Sequence, residues 1–144
     1  MKIVIGSDHA GFDLKEKCKE FIRNELKLEI EDIGVYDKSP SDYPDIGHKL
    51  AKMILSGEYD FGILICGTGI GMSMVANRYK GVRAALCHDI YTAKYSRLHN
   101  DANILVMGGR VIGDGIALDM VKTFLETPFE GGRHKRRLEK IDRE

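Results

Sequence analysis

The sequence predicts an α/β fold, a five-stranded parallel sheet with helices on both faces. Three observations predict it. Short β-rich runs alternate with amphipathic stretches in the order β-α-β-α-β-α-β-α-β-α, and such alternation builds a parallel sheet covered by helices. Phe61-Gly62-Ile63-Leu64-Ile65-Cys66 is a continuous apolar run, as a central strand buried on both faces requires. Glycine follows or closes several of the runs, at Gly6, Gly34, Gly67 and Gly108.

Taken in order, Ile3-Val4-Ile5 is the first strand. From Ala10 to about Glu25, apolar Phe12, Leu14, Cys18, Phe21 and Ile22 fall mostly at helical spacing among charges. Leu28 to Ile33 alternates apolar and acidic residues, the pattern of an outer strand. Lys38 to Asp45 holds Ser39-Pro40-Ser41 and Tyr43-Pro44 and reads as a loop. Ile46 to Leu55 is helical and stops at Ser56-Gly57. The apolar run of the central strand follows, then a turn over Gly67 to Gly71 and a helix to about Tyr79. Arg83 to Cys87 is a strand, Ile90 to Leu98 a helix, Asn103 to Met107 the fifth strand, and Ile116 to Leu125 a helix that Thr127-Pro128 stops. Gly131-Gly132 breaks the chain before a charged helix over 133–144.

The length of 144 residues suits a single domain spanning 1–144, and a chain of that size buries roughly 70% of its unfolded surface. Lys plus Arg and Asp plus Glu are both 22, and a net charge of zero argues against a general nucleic-acid binder. With 43% hydrophobic residues the chain is not disordered. No apolar run reaches the roughly 20 residues of a membrane helix, and the apolar stretch after Met1 is too short for a signal peptide. Cys18, Cys66 and Cys87 form no CxxC motif and leave one odd under any pairing, so they read as free thiols in a reducing compartment. The expectation is a soluble cytoplasmic domain.

Ligands of such folds bind at the carboxyl ends of the strands. That directs attention to Asp8-His9, the Tyr43 loop, Cys66 to Gly71, His88-Asp89 and Gly108 to Arg110. Cys66-Gly67-Thr68-Gly69-Ile70-Gly71 lets backbone N–H groups approach an anion, with a helix N-terminus behind them. Neither the dinucleotide fingerprint nor the P-loop fits, because Met72 stands where a third glycine belongs and no Lys follows. The same spacing also makes a tight strand-to-helix turn. Cys66 sits at the mouth of this cradle, either as a general base or as a small buried hydrophobe. A helix terminus usually contributes about 0.3–1 kcal/mol to an anion. Bringing an ordinary thiol to a pKa near 7 takes roughly 2 kcal/mol, so a thiolate base there needs further help. Cys18 and Cys87 fit the core better.

Asp8 suits a helix cap. His9 has no structural task visible in the sequence, which leaves it for a ligand. His99-Asn100 closes a helix beside Arg97. A histidine there suits the helix dipole, and equally an acid–base group near neutral pH. No HExxH motif or Cys/His cluster appears, so no metal is expected. Arg133 and Arg137 lie four apart, on one face of the terminal helix, and two guanidiniums there suit a phosphate. A solvated helix balanced by Glu139, Asp142 and Glu144 is the alternative. A short terminal helix must dock on something to be ordered, and a partner subunit is one candidate.

Together, Gly6-Ser7-Asp8-His9-Ala10-Gly11, Asp42-Tyr43-Pro44, Ile65 to Gly71, His99-Asn100, Gly109-Arg110 and Glu130-Gly131-Gly132-Arg133-His134 resemble the ribose-5-phosphate isomerase B family of sugar-phosphate isomerases. They run in the family's order over nearly the whole chain. The resemblance implies a Rossmann-like three-layer α/β/α sandwich that forms a homodimer with shared active sites, in some cases a dimer of dimers. It implies interconversion of ribose 5-phosphate and ribulose 5-phosphate through an enediolate, with no cofactor and no metal. Cys66 would be the base, in place of the carboxylate some relatives use. His99 would help open the furanose ring, and Thr68 joins them in the catalytic set. Gly67, Gly69, Ile70 and Gly71 would hold the enediolate, with Tyr43 in the substrate pocket. Asp8 and Asn100 would contact sugar hydroxyls. His9, Arg110, Arg133 and Arg137 would hold the phosphate, some from the opposite subunit. A six-carbon substrate (allose or galactose 6-phosphate) is the alternative within the class. Beyond it stand a non-catalytic phosphosugar- or nucleotide-binding module and a purely structural dimerisation domain.

Overall fold

The computed structural model describes residues 1–143. Five parallel strands, β1 (Lys2–Ser7), β2 (Glu29–Asp32), β3 (Phe61–Cys66), β4 (Ala84–Leu86) and β5 (Ile104–Gly108), form one sheet in the order β2-β1-β3-β5-β4. The helices are α1 (Phe12–Asn24), α2 (Tyr43–Leu55), α3 (Ile70–Ala76), α4 (Ile90–Leu98), α5 (Asp114–Glu126) and α6 (Arg133–Asp142). A short 3-10 turn over His9–Gly11 precedes α1.

The three central strands explain the apolar runs. Along β1, β3 and β5, Ile3, Ile5, Ile63, Ile65, Leu105 and Met107 face a core layer shared with Leu14, Cys18 and Ile22 of α1 and Met120, Val121 and Phe124 of α5. Their alternates Val4, Leu64, Cys66, Ile104 and Val106 face Leu50, Ala51 and Ile54 of α2 and Met72 and Ala76 of α3. Both sets are buried, so alternation along these strands separates two apolar faces rather than apolar from polar. The result is the expected three-layer α/β/α sandwich, Rossmann-like in its parallel sheet. β2 lies at the edge, as its acidic alternation predicts.

Several boundaries differ from the sequence reading. The stretch read as a loop to Asp45 turns helical at Tyr43, because Pro44 stands in the first turn, where its fixed φ and missing N–H cost nothing. α3 ends at Ala76 rather than near Tyr79, and β4 covers only Ala84–Leu86. α6 begins at Arg133 as expected, and Glu144 lies outside the described residues.

The edge strand is clamped by charge. The Lys15 side chain is fully buried, and its Nζ reaches Asp32 Oδ2 at 2.6 Å and Glu16 Oε2 at 3.0 Å. Lys19 joins Asp32 at 2.7 Å. Burial alone would raise the Asp32 pKa, but the two ammoniums and the Gly34 N–H outweigh it and hold the carboxyl below its ordinary range. Asp32→Asn is expected to destabilise the fold at pH 7 by about 2 kcal/mol, less than a fully stranded buried charge because Glu16 remains. Urea unfolding of both proteins checks it. A carboxyl held below its unfolded pKa stabilises above that value, so the gap should close as pH falls below about 4.

Candidate active site

The carboxyl ends of β1, β3 and β5 converge on Cys66. Pairing of β3 with β5 sets Cys66 beside Gly108. The Gly109 N–H donates to Cys66 O at 2.8 Å and the Arg110 N–H to Gly67 O at 3.0 Å, so the loop after β5 is laced to the loop after β3. Cys66 is 4% exposed, and its Sγ accepts the Gly69 N–H at 3.2 Å. The sulfur is thus held as an acceptor by a loop whose other N–H groups open into α3. Gly69 has φ +82, and an added Cβ would lie 2.4 Å from Leu86 Cδ1. Only glycine makes this turn without displacing β4. A Cβ on Gly71 would meet the Tyr43 ring at 2.5 Å, so Tyr43 closes over the start of α3. Thr68 is exposed, and its Oγ1 accepts the Ile70 N–H at 3.2 Å.

Asp8, 6% exposed, caps the 3-10 turn by accepting the Gly11 N–H at 3.1 Å, the structural role the sequence favours. His9 does have a structural task, contrary to the sequence reading. The Ser41 N–H donates to His9 Nδ1 at 3.1 Å, and Ser41 Oγ accepts the His9 N–H at 3.1 Å. A ring whose Nδ1 accepts carries its proton on Nε2, so His9 is fixed as an Nε2–H donor. Ser41, which the sequence reading did not single out, is the residue that holds the His9 ring. The Arg110 guanidinium lies against Gly67, 3.7 Å from where a Cβ would stand. Of the remaining strand-end candidates, Asp89 caps α4 by accepting the Thr92 N–H at 2.7 Å. Burial pushes the Cys18 thiol up to about 12 and the Cys87 thiol upward too, so neither serves as a thiolate near neutral pH.

His99, Asn100, Arg133 and Arg137 stand elsewhere. α4 starts beyond the carboxyl end of β4 and runs back along the sheet. His99 caps its far end, near the amino ends of the strands. Strands of five or six residues span roughly 17–20 Å, which is the scale of the gap to Cys66. Asn100 borders a groove of about 450 Å³ with Asn77, Gly81, Ala85 and Ile141. α6 docks there on its own chain through His134 and Leu138, and Asp142 pairs with Arg83 at 3.1 Å. Among the described residues the guanidiniums of Arg110, Arg133 and Arg137 have no hydrogen-bond or carboxylate partner. Arg97 is structural: it lies 4.7 Å from the Phe61 ring and pairs with Asp101 at 2.8 Å. A wider groove of about 700 Å³ borders β2, lined by Lys2, Arg23, Lys27, Glu29 and Glu31 among others, and it holds none of the candidate residues.

Two groups of candidate residues therefore lie at opposite ends of one chain's sheet. The first holds a sulfur acceptor in a loop of N–H donors, which is what moving a proton next to an oxyanion needs. The second holds a histidine and two unpaired arginines.

Its relatives place the chain among the aldose–ketose isomerases. A family model described as Ribose/Galactose Isomerase matches residues 3–141, and the chain belongs to that family. A solved ribose 5-phosphate isomerase of Thermotoga maritima is 55% identical, with a TM-score of 0.96 over 99% of this chain and 98% of that one. Ribose-5-phosphate isomerase B of Escherichia coli is 43% identical over 140 residues, 97% of this chain and 93% of the relative. The D-erythrulose-4-phosphate isomerase of Pectobacterium atrosepticum is 41% identical over 143 residues, 98% of this chain and 93% of the relative. Among the described residues no helix is long and apolar enough to cross a membrane.

Proposed function

We propose that the protein interconverts D-ribose 5-phosphate and D-ribulose 5-phosphate. The observation that carries this reading is the Cys66 sulfur, accepting from Gly69 in the Gly67–Gly71 loop at the end of the central strand. Cys66 takes the C2 proton of the open aldose, and the electron pair moves through C1 to O1. The loop N–H groups and the Nε2–H of His9 are donors for an enediolate and a phosphate. The O2 proton passes to O1, and return of a proton to C1 gives the ketose. No electron leaves the sugar, so the chemistry calls for no redox cofactor.

His99 opens the furanose ring, and Arg133 and Arg137 hold the phosphate with Arg110. Because His99, Arg133 and Arg137 lie at the other end of the sheet from Cys66 and Arg110, a second copy of the chain completes each site. Remote phosphate binding then positions the reacting carbons. The names of the Thermotoga and Escherichia relatives favour the five-carbon substrate. The Pectobacterium name shows that chain length varies among relatives.

The test is turnover of ribose 5-phosphate in EDTA, with ribulose 5-phosphate detected directly and allose 6-phosphate, galactose 6-phosphate and erythrose 4-phosphate run in parallel. Turnover surviving EDTA, with the highest kcat/KM on ribose 5-phosphate, is expected. A higher kcat/KM on a six-carbon phosphate reassigns the substrate. No turnover of any of them by folded protein overturns the reading in favour of a binding module.

A further inference from the structure

A second histidine stands behind His99. Tyr91, Tyr95 and His99 follow one another at four-residue spacing along α4, with ring centroids 4.5 Å and then 4.8 Å apart. The next ring is His134 of α6, 4.0 Å from His99 and within 13° of parallel. His99 is half-exposed, but His134 is only 4% exposed and its Nε2 has no hydrogen-bond partner.

The chain between α5 and α6 is built to bring these rings together. Arg97 Nε donates to Thr127 O at 3.2 Å, and the Glu130 N–H donates to Leu98 O at 3.0 Å. That stitching sets the Glu130 carboxylate 3.8 Å from Nε2 of both His99 and His134. Gly131 and Gly132, both at positive φ, then turn the chain so that α6 presents His134 inward and Arg133 and Arg137 outward.

We infer that His134 is a positioning residue for His99, its buried ring fixing the His99 imidazole by face-to-face stacking with Glu130 facing both Nε2 atoms. The inference rests on the ring-opening role of His99 proposed above. A half-exposed histidine at a helix end has free rotamers. A proton donor to a ring oxygen must instead hold one direction, and a misplacement of about 1 Å can cost 100-fold in rate. The charges around the pair suit a division of labour. Burial, His99 and Arg133 hold the His134 pKa below the ordinary histidine range, with Arg137 adding to them and Glu130 opposing. The lowered pKa favours the uncharged form of the His134 ring that stacks on His99. Tyr95 meets the His99 ring edge-on, with Lys94 Nζ over the Tyr95 ring.

The same three side chains bring ligand atoms within 4.8 Å of one another, yet they do not make a metal site. An ion bound by imidazole lies in the ring plane along the nitrogen lone pair, and two near-parallel stacked planes do not meet at one ion.

The test compares a cyclic with an acyclic substrate. Ribose 5-phosphate closes a furanose through O4. Erythrose 4-phosphate has its O4 blocked by phosphate, so its isomerisation needs no ring opening. Deuterium wash-in to ribulose 5-phosphate, also acyclic, is the second ring-free readout. His134→Ala should lower kcat on ribose 5-phosphate about 10- to 100-fold and leave both acyclic readouts within about threefold of wild type. His134→Phe, which keeps a buried ring for His99 to stack on, should restore most of the ribose 5-phosphate rate. Equal losses on cyclic and acyclic substrates, no loss on either, or a His134→Phe protein that melts like wild type yet gives no rescue would each overturn the inference. His99→Ala runs alongside: if its own loss is not selective for ribose 5-phosphate, the ring-opening reading of His99 has failed, whereas a selective His99→Ala with an unselective His134→Ala sinks the positioning role alone.

Discussion

Cys66→Ala is expected to lower kcat on ribose 5-phosphate by roughly 100- to 10,000-fold, the usual contribution of a positioned base, with little change in KM. The asymmetry follows from the site. The sulfur sits at the end of β3, where the proposed mechanism moves the proton, while the guanidiniums proposed for the phosphate belong to Arg110 and to α6. Substrate should still bind and orient, but no group remains to take the C2 proton. Cys66→Ser sharpens the result, because a hydroxyl can still accept the Gly69 N–H that now meets Sγ at 3.2 Å. A serine hydroxyl is a far weaker acid than a thiol, so its conjugate base is scarce at neutral pH, and Cys66→Ser should stay as impaired as Cys66→Ala. Steady-state kinetics on both variants, with thermal melting to confirm the fold, decides the matter. A Cys66→Ser enzyme near wild-type rate would mean that the sulfur serves only as a hydrogen-bond acceptor and that the base lies elsewhere.

What the sequence disclosed depended on the range of the signal. The Phe61–Cys66 run announced a central strand because burial on both faces leaves no polar residue to interrupt it. The acidic alternation of 28–33 marked an edge for the converse reason. The Cys66 loop was legible because its glycines and its sulfur are adjacent in sequence. Tyr43 misled because Tyr-Pro carries turn chemistry and first-turn helix chemistry at once, and only the packing of the Tyr43 ring over Gly71 selects between them. The bond between Ser41 and His9 joins residues 32 apart and leaves no periodic trace. His134 stacking on His99 across two glycines is of the same kind. The separation of His99 from Cys66 follows from helix direction. A helix that starts beyond the carboxyl end of β4 must deliver its last residue, His99, to the opposite end of the sheet.

That division makes its own prediction, the largest recovery of activity expected here. Mixing Cys66→Ala with His99→Ala, each nearly inactive alone, should restore activity to about a quarter of wild type. In a two-fold dimer whose sites each take Cys66 from one copy and His99 from the other, random pairing makes about half the dimers mixed. Each mixed dimer has one site with both lesions and one with neither, so about a quarter of all sites are intact. The strands of one sheet keep Cys66 and His99 of the same chain roughly 17–20 Å apart, too far for both to reach one sugar. Subunits exchanged by mild denaturation and refolding, or co-expressed with distinct tags and purified as the mixed species, should show recovery that scales with the mixed fraction. Activity that stays at the mean of the two parents in a verified mixed dimer would overturn the sharing of each site between two chains. The purified mixed dimer gives the cleaner reading, since half of its sites should be intact. Its kcat per chain should therefore approach half of wild type at an unchanged KM.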